Sequence, residues 1–201
     1  AVGDWAANDG SGNIVAYTGY TAESASESST PSLTGSSTQN WLCGSRANAG
    51  NYITTISASA TVNSIVQCGD INVPNGVTLT LGSGGLMMSG VSRWMLNNNG
   101  GNTTGTAKIQ SGLVSGELFV NNTYTGGGNW TIWPVIQDNG VTPTILVKNG
   151  PGLVILGNAN TFTGGVMLNS GAVAPALQSS LGLRAGLVTL NGGALRSSYA
   201  G

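Results

Sequence analysis

An all-β chain wound as a parallel β-helix, or β-solenoid, is the architecture this sequence predicts, and three observations carry it. Short apolar runs recur about every 8–12 residues from residue 52 onward, each bounded by turn-forming residues. Sandwich hairpins usually place Asn-Gly or Asp-Gly between strictly alternating runs, whereas here the turns vary in length. Several runs are only three residues long, which suits strands that pair with the windings above and below them rather than with their sequence neighbours.

Composition agrees with that reading. Of 201 residues, 40% are hydrophobic and only 6% are charged, while Gly alone contributes 33. Ordinary soluble domains carry about a quarter charged residues, so a conventional charged surface is missing. The apolar residues fall in repeated short runs and not in one block, so they can bury surface and the low charge does not signal disorder. A formal net charge of −1 with scattered Lys and Arg provides no basic stripe, which excludes the usual DNA and RNA partners. No apolar stretch approaches the ~20 residues that span a bilayer, and AVGDWAANDG does not read as a signal peptide. Any export signal is expected to have been removed or to lie outside this segment.

Along the chain, residues 1–50 read as an irregular, polar flank or cap, with the Ser/Thr/Glu-rich stretch Thr21 to Thr30 and a strand candidate at Asn13 to Tyr17. Residues 51–201 read as the solenoid. Its strand candidates are Tyr52 to Ile56, Val62 to Val66, Val77 to Leu81, Leu86 to Met88, Trp94 to Leu96, Ala107 to Ile109 and Glu117 to Val120. They continue with Thr131 to Ile136, Thr144 to Val147, Leu153 to Leu156, Val166 to Leu168, Ala172 to Ala174, Leu187 to Leu190 and Ala194 to Leu195.

The segment 145–165, ILVKNGPGLVILGNANTFTGG, is the most informative of these. Leu153-Val154-Ile155-Leu156 is apolar or β-branched throughout, as a short strand with one face in a core should be. Helix is a poor alternative: Gly150, Pro151, Gly152 and Gly157 stand too close together, at about 1 kcal/mol for each interior Gly and about 3 for Pro. The segment resembles the autotransporter-associated β-strand repeat, L-x-K-x-G-x-G-x-L-x-L-x-G-x-N-x-Y-x-G, through Leu146, Lys148, Gly150, Gly152, Leu153, Ile155, Gly157, Asn160, Phe162 and Gly164. Asn63 to Gly90, Gly116 to Asn122, Val135 to Gly140, Val166 to Gly171 and Ser180-Leu181-Gly182 are similar to further family segments, so the likeness covers residues from about 60 to 195. Phe162 replaces the usual Tyr, and Pro175 stands where the family often carries a Leu-rich strand. The resemblance implies a right-handed parallel β-helix of an exported bacterial surface protein, with no catalytic residues.

Cys43 and Cys68 are the two cysteines, about one repeat length apart. In an exported protein an isolated pair is expected to form a disulfide worth about 3 kcal/mol. The alternative is two buried thiols acting as small apolar side chains. With no histidine and no third cysteine, no metal site is expected, and no cofactor either. The seven carboxylates, Asp4, Asp9, Glu23, Glu27, Asp70, Glu117 and Asp138, form no recognised acid/base pattern, and a triad lacks its histidine. Gly126-Gly127-Gly128-Asn129 does not supply the Asp of a calcium-binding coil.

Trp94, Trp130 and Trp133 are the candidate surface and contact aromatics. Trp130 and Trp133 stand an odd number of residues apart, so along one strand they face opposite sides, one toward the core and one lateral. Asn-x-Thr at Asn102, Asn121 and Asn129 is read as chance in a chain rich in both residues, with Asn serving turns and stacked ladders. The C-terminal strands show no polar cap, so further repeats or another copy of the chain are the expected neighbours. The functional expectation is a non-catalytic structural element, a stalk segment or fibre subunit at the bacterial cell surface. An adhesin holding a surface glycan is the alternative, and a polysaccharide lyase the remote third.

Overall fold

The computed structural model describes residues 4–22, 37–44, 53–91, 93–98, 100–101, 103–183 and 187–197. The Ser/Thr/Glu-rich stretch after Ala22, Asn102 and the four last residues lie outside that set.

Two parallel sheets make the framework, one of ten strands and one of seven. The first runs through Thr21–Ala22, Asn40–Cys43, Ala60–Gln67, Thr78–Met88, Glu117–Asn122, Ile145–Asn149, Val166–Leu168 and Val188–Leu190 in that spatial order. The second runs through Ile53–Thr55, Asp70–Val73, Arg93–Asn97, Asn129–Ile132, Leu153–Leu156, Ala172–Pro175 and Ala194–Leu195. From residue 53, Lys108–Ser111 and Val135–Ile136 apart, the chain visits the sheets alternately and adds to each in the same direction, so strands lie on ones laid down a repeat earlier. Lys108–Ser111 and Val135–Ile136 extend the first sheet beside the N-terminal half of Thr78–Met88. Among the described strands, the one antiparallel pair is Ala6–Asn8 with Ile14–Ala16. Its turn is held by Asp9 Oδ1, which accepts the N–H of Ser11 and of Asn13 at 2.8 and 3.1 Å.

Period-two alternation fills the space between the sheets. In the first sheet Leu118, Leu146, Val166 and Val188 stand in register, as do Ile65, Leu86, Val120, Lys148, Leu168 and Leu190. In the second sheet Ile71, Met95, Ile132 and Leu156 form one inward row and Trp130, Val154 and Val173 another. Most of these side chains are fully enclosed and belong to one continuous cluster. Each buried Leu, Ile or Val contributes about 1.5–3 kcal/mol, so stacking like on like across the strands supplies the main stabilisation.

Four boundaries differ from the sequence reading. Val77 to Leu81 and Leu86 to Met88 belong to one bent strand, Thr78–Met88. Gly84, at φ +67°, carries the bend where an added Cβ would strike Glu117 O. Thr131 to Ile136 divides into Asn129–Ile132 in the second sheet and Val135–Ile136 beside the first, with Pro134 between them. Asp70–Val73 was not expected as a strand, yet Ile71 and Val73 alternate inward there. The polar flank supplies Thr21–Ala22 and Asn40–Cys43 to the first sheet.

Candidate functional site

The repeat motif forms a corner between the two sheets, and most of its residues carry backbone, not chemistry. Leu146 is buried in the first sheet. Two residues on, Lys148 points into the same row as Val120 and Leu168, yet is 0% exposed. Its Nζ donates to the carbonyls of Asn149, Gly150 and Ser170 at 2.6, 2.7 and 3.2 Å, so all three protons have acceptors. Desolvation pushes its pKa from 10.5 down to about 8. The aliphatic stem completes the core while the ammonium ties the corner to the next one.

Gly150 turns the chain at φ +76°, where a Cβ would meet Asn121 Oδ1 and Asn122 O. A Cβ at Gly152 would enter the Asn122 side chain, which is already committed. Asn122 Nδ2 donates to Leu153 O at 2.7 Å and its Oδ1 accepts the Tyr124 N–H at 3.0 Å. In Leu153–Leu156 the inward residues are Val154 and Leu156, both fully buried, whereas Leu153 and Ile155 lie on the outer side, partly exposed. Gly157 provides the surface on which the Trp133 indole lies: a Cβ there would come within 2.5 Å of the ring.

The second half of the motif closes the repeat. Asn160 accepts the Ile136 N–H at Oδ1 (2.8 Å) and donates from Nδ2 to Ser180 O (2.6 Å), bridging the repeats on either side from a site 3% exposed. Phe162 is wholly buried. Gly164 packs against Thr144 O, too close for any side chain. Asp138 Oδ1 accepts the N–H groups of Thr144 and Thr163, and its Oδ2 the Thr163 hydroxyl. Outside the corner, Asn191 Nδ2 donates to Asn169 Oδ1 and Asn169 Nδ2 to Asn149 Oδ1, at 3.1 and 3.0 Å. These ladder steps span 22 and 20 residues, which gives the local repeat length.

The expected disulfide between Cys43 and Cys68 is absent from the structure. Register explains why. Cys43 stands opposite Gln67, not Cys68, and both Cys43 and Gln67 face inward. Cys68, one residue on, packs on the outer face with Val66 and Met87. A one-residue offset in a strand reverses the side-chain direction, so the thiols lie on opposite sides of the first sheet. Both are buried and pack as small apolar groups, the alternative reading of the pair.

Four carboxylates each serve their own locality. Asp4 accepts from the Tyr20 hydroxyl, Asp9 holds a turn, Asp70 accepts the Trp94 N–H and Asp138 caps two threonines. Among the described residues no three of His, Cys, Asp and Glu gather. Likewise, no described helix is long and apolar enough to cross a membrane.

The tryptophans separate as their spacing requires, with one correction. Trp130 is no surface aromatic: it is 0% exposed, and its Nε1 donates to Gln67 Oε1 at 3.0 Å across the core. Trp133 lies outward and half-buried between Gly101 and Gly157. Trp94, 53% exposed, is also outward. The two outward indoles line a groove of about 560 Å³ with Ile53, Asp70, Leu96, Gly100 and Gly101. Sequence reasoning missed Asp70 and Leu96 in that setting. Their signal was the alternation of Asp-Ile-Asn-Val and Arg-Trp-Met-Leu, which places Asp70, Trp94 and Leu96 on the face opposite Ile71 and Met95.

The chain matches no family model, no curated protein and no solved structure.

Proposed function

We propose that the chain is a segment of a right-handed parallel β-solenoid belonging to an exported, extracellular bacterial surface protein, and that its role is structural and non-catalytic: a rigid stalk segment or a self-assembling fibre subunit. One observation carries this reading: two parallel sheets are extended in turn and in register by a chain whose repeat corner is consumed by structural bonds. Lys148, Asn160, Asp138 and the glycines between them spend their polar capacity on backbone groups of adjoining repeats. Such a unit grows by adding repeats, since each contacts only its neighbours.

The autotransporter-associated resemblance supports the surface location and the handedness. Support for assembly comes from the final described strands. Val188–Leu190 and Ala194–Leu195 pair on one edge only among the described residues, and Leu187, Leu190 and Leu195 are 53%, 58% and 42% exposed beside them. An open edge flanked by apolar side chains takes either a further repeat or another copy of the chain. With few charges on the lateral faces, side-to-side contact also carries little desolvation cost.

Electron microscopy of the purified chain at rising concentration, with fibre diffraction of any aligned material, tests the proposal. Rods or filaments with a reflection near 4.8 Å along the long axis are the expected result, since strands then stack perpendicular to that axis. Compact monomers at every concentration would remove the fibre-subunit reading.

A further inference from the structure

We propose that the groove between Trp94 and Trp133 on the outer face of the second sheet binds a neutral oligosaccharide, with the indoles stacking on the flat C–H faces of successive sugar rings and Asp70 accepting a sugar hydroxyl. This goes beyond the architectural role, since it needs only the local surface of the sheet and not assembly.

Strand register sets the aromatic spacing. Asp70, Trp94 and Thr131 fall in one row across three strands, because Ile71 pairs with Met95 and Trp94 with Thr131. Leu96, Trp133 and Gly157 fall in the adjacent outward row, with Trp133 N–H donating to Met95 O at 2.9 Å. Trp94 and Trp133 are therefore diagonal neighbours on one face, about 7–8 Å apart at the backbone, close enough for two large rings to form a continuous platform.

The backbone of one indole and the ring of the other are set before any ligand arrives. Trp94 is anchored through its main chain on both sides: its N–H donates to Asp70 Oδ1 at 3.0 Å and its carbonyl accepts from Gln67 Nε2 at 2.8 Å. Trp133 is fixed between Gly101 and Gly157, where any side chain would collide with the ring. A preset surface loses little conformational freedom on binding. Trp94 still presents about half of its surface to solvent, at the site where a large aromatic otherwise gains most from being covered.

The chemistry of the lining selects the occupant. Two indoles, Ile53 and Leu96 supply the apolar area, and the charge in the lining is the Asp70 carboxylate. A purely apolar partner would strip water from that carboxylate, whose Oδ1 accepts the Trp94 N–H, and would offer no donor in its place, which is costly. An acidic glycan would meet like charge. A pyranose chain brings a flat apolar face and hydroxyl donors in one object, and about 560 Å³ falls within the range of ordinary ligand clefts.

Titration calorimetry of the full chain with cellohexaose, xylohexaose, mannohexaose and chitohexaose is the test. At least one should bind in the micromolar to millimolar range, with affinity lowered about tenfold or more in Trp94→Ala and largely retained in Trp94→Phe, because a half-exposed stacking ring contributes on that scale. The thermal unfolding midpoint of Trp94→Ala should match that of the parent. The proposal fails if no hexaose binds at millimolar concentration, or if Trp94→Ala binds as the parent does. It fails equally if Trp94→Ala changes the oligomeric state, which would make the groove a contact between copies. Glycan binding lost while rods still form, or rods lost while glycan binding persists, separates this inference from the structural one.

Discussion

Removing the Asn160 side chain probes the joint between repeats most sharply. In Asn160→Ala two buried backbone groups lose their partners together: the Ile136 N–H, held at 2.8 Å by Oδ1, and the Ser180 carbonyl, held at 2.6 Å by Nδ2. An orphaned buried polar group costs about 1–3 kcal/mol, so the pair predicts a loss of about 2–6 kcal/mol, nearer the lower figure if water enters the space left behind. That is a large share of the 5–15 kcal/mol typical of a whole domain. Urea unfolding followed by tryptophan fluorescence reads it out, since Trp130 sits fully inside the core. With a slope of about 2 kcal/mol per molar for a chain of this size, the midpoint should fall by about 1–3 M. The transition should also broaden, because neighbouring repeats then uncouple. Asn191→Ala is the internal control: the same residue type donates to Asn169 Oδ1 at 3.1 Å, but in the open, and should shift stability by less than about 0.5 kcal/mol. If Asn160→Ala behaves like Asn191→Ala, the bridging role assigned to Asn160 is wrong.

Two further outcomes follow from the same geometry. Burial lowers the Lys148 pKa from 10.5 to about 8, so below pH 8 both the folded and the unfolded chain carry the proton and its contribution is flat. Between those values the unfolded chain keeps a proton that the folded chain has released, and stability rises with pH by at most about 1.4 kcal/mol per pH unit. Comparing urea midpoints across pH 7–10.5 for the parent and Lys148→Met isolates this slope, and identical slopes would contradict it. Cys43 and Cys68 lie on opposite sides of one sheet, so both thiols should react with iodoacetamide only after denaturation, and reductant should leave the melting temperature unchanged. A lowered melting temperature in reductant would show a disulfide and overturn the register.

Much of the framework was legible because the apolar runs obey a period of two and the glycines stand where the backbone turns. Leu153–Leu156 and Val166–Leu168 were readable to the residue. Asp70–Val73 was not, because Asp and Asn dilute the signal of its two inward residues. The bend in Thr78–Met88 was hidden for the opposite reason: Gly-Ser-Gly-Gly reads as a break, but neighbouring strands pair with the backbone on both sides of it. Lys148 and Asn160 could be named from the motif, but not their work. A lysine in an inward row becomes intelligible only once the carbonyls of Asn149, Gly150 and Ser170 are seen converging on it. The disulfide expectation failed on register alone, since spacing along the chain fixes which repeat a residue joins but not which way its side chain points. For the groove, sequence supplied Trp94 and Trp133, while only strand order could place Asp70 beside them.

Paired cysteines give the most direct test of strands stacking parallel and in register. Met167 and Thr189 stand opposite each other on neighbouring strands of the first sheet, about 4.8 Å apart at Cα, within the span a disulfide bridges. Under mild oxidation, Met167→Cys with Thr189→Cys should crosslink within the monomer, as mass spectrometry of linked peptides would show. Met167→Cys with Asn191→Cys, displaced two residues along the strand to about 8 Å, should not. Equal crosslinking of both pairs, or linkage of the displaced pair alone, would contradict the stacked arrangement.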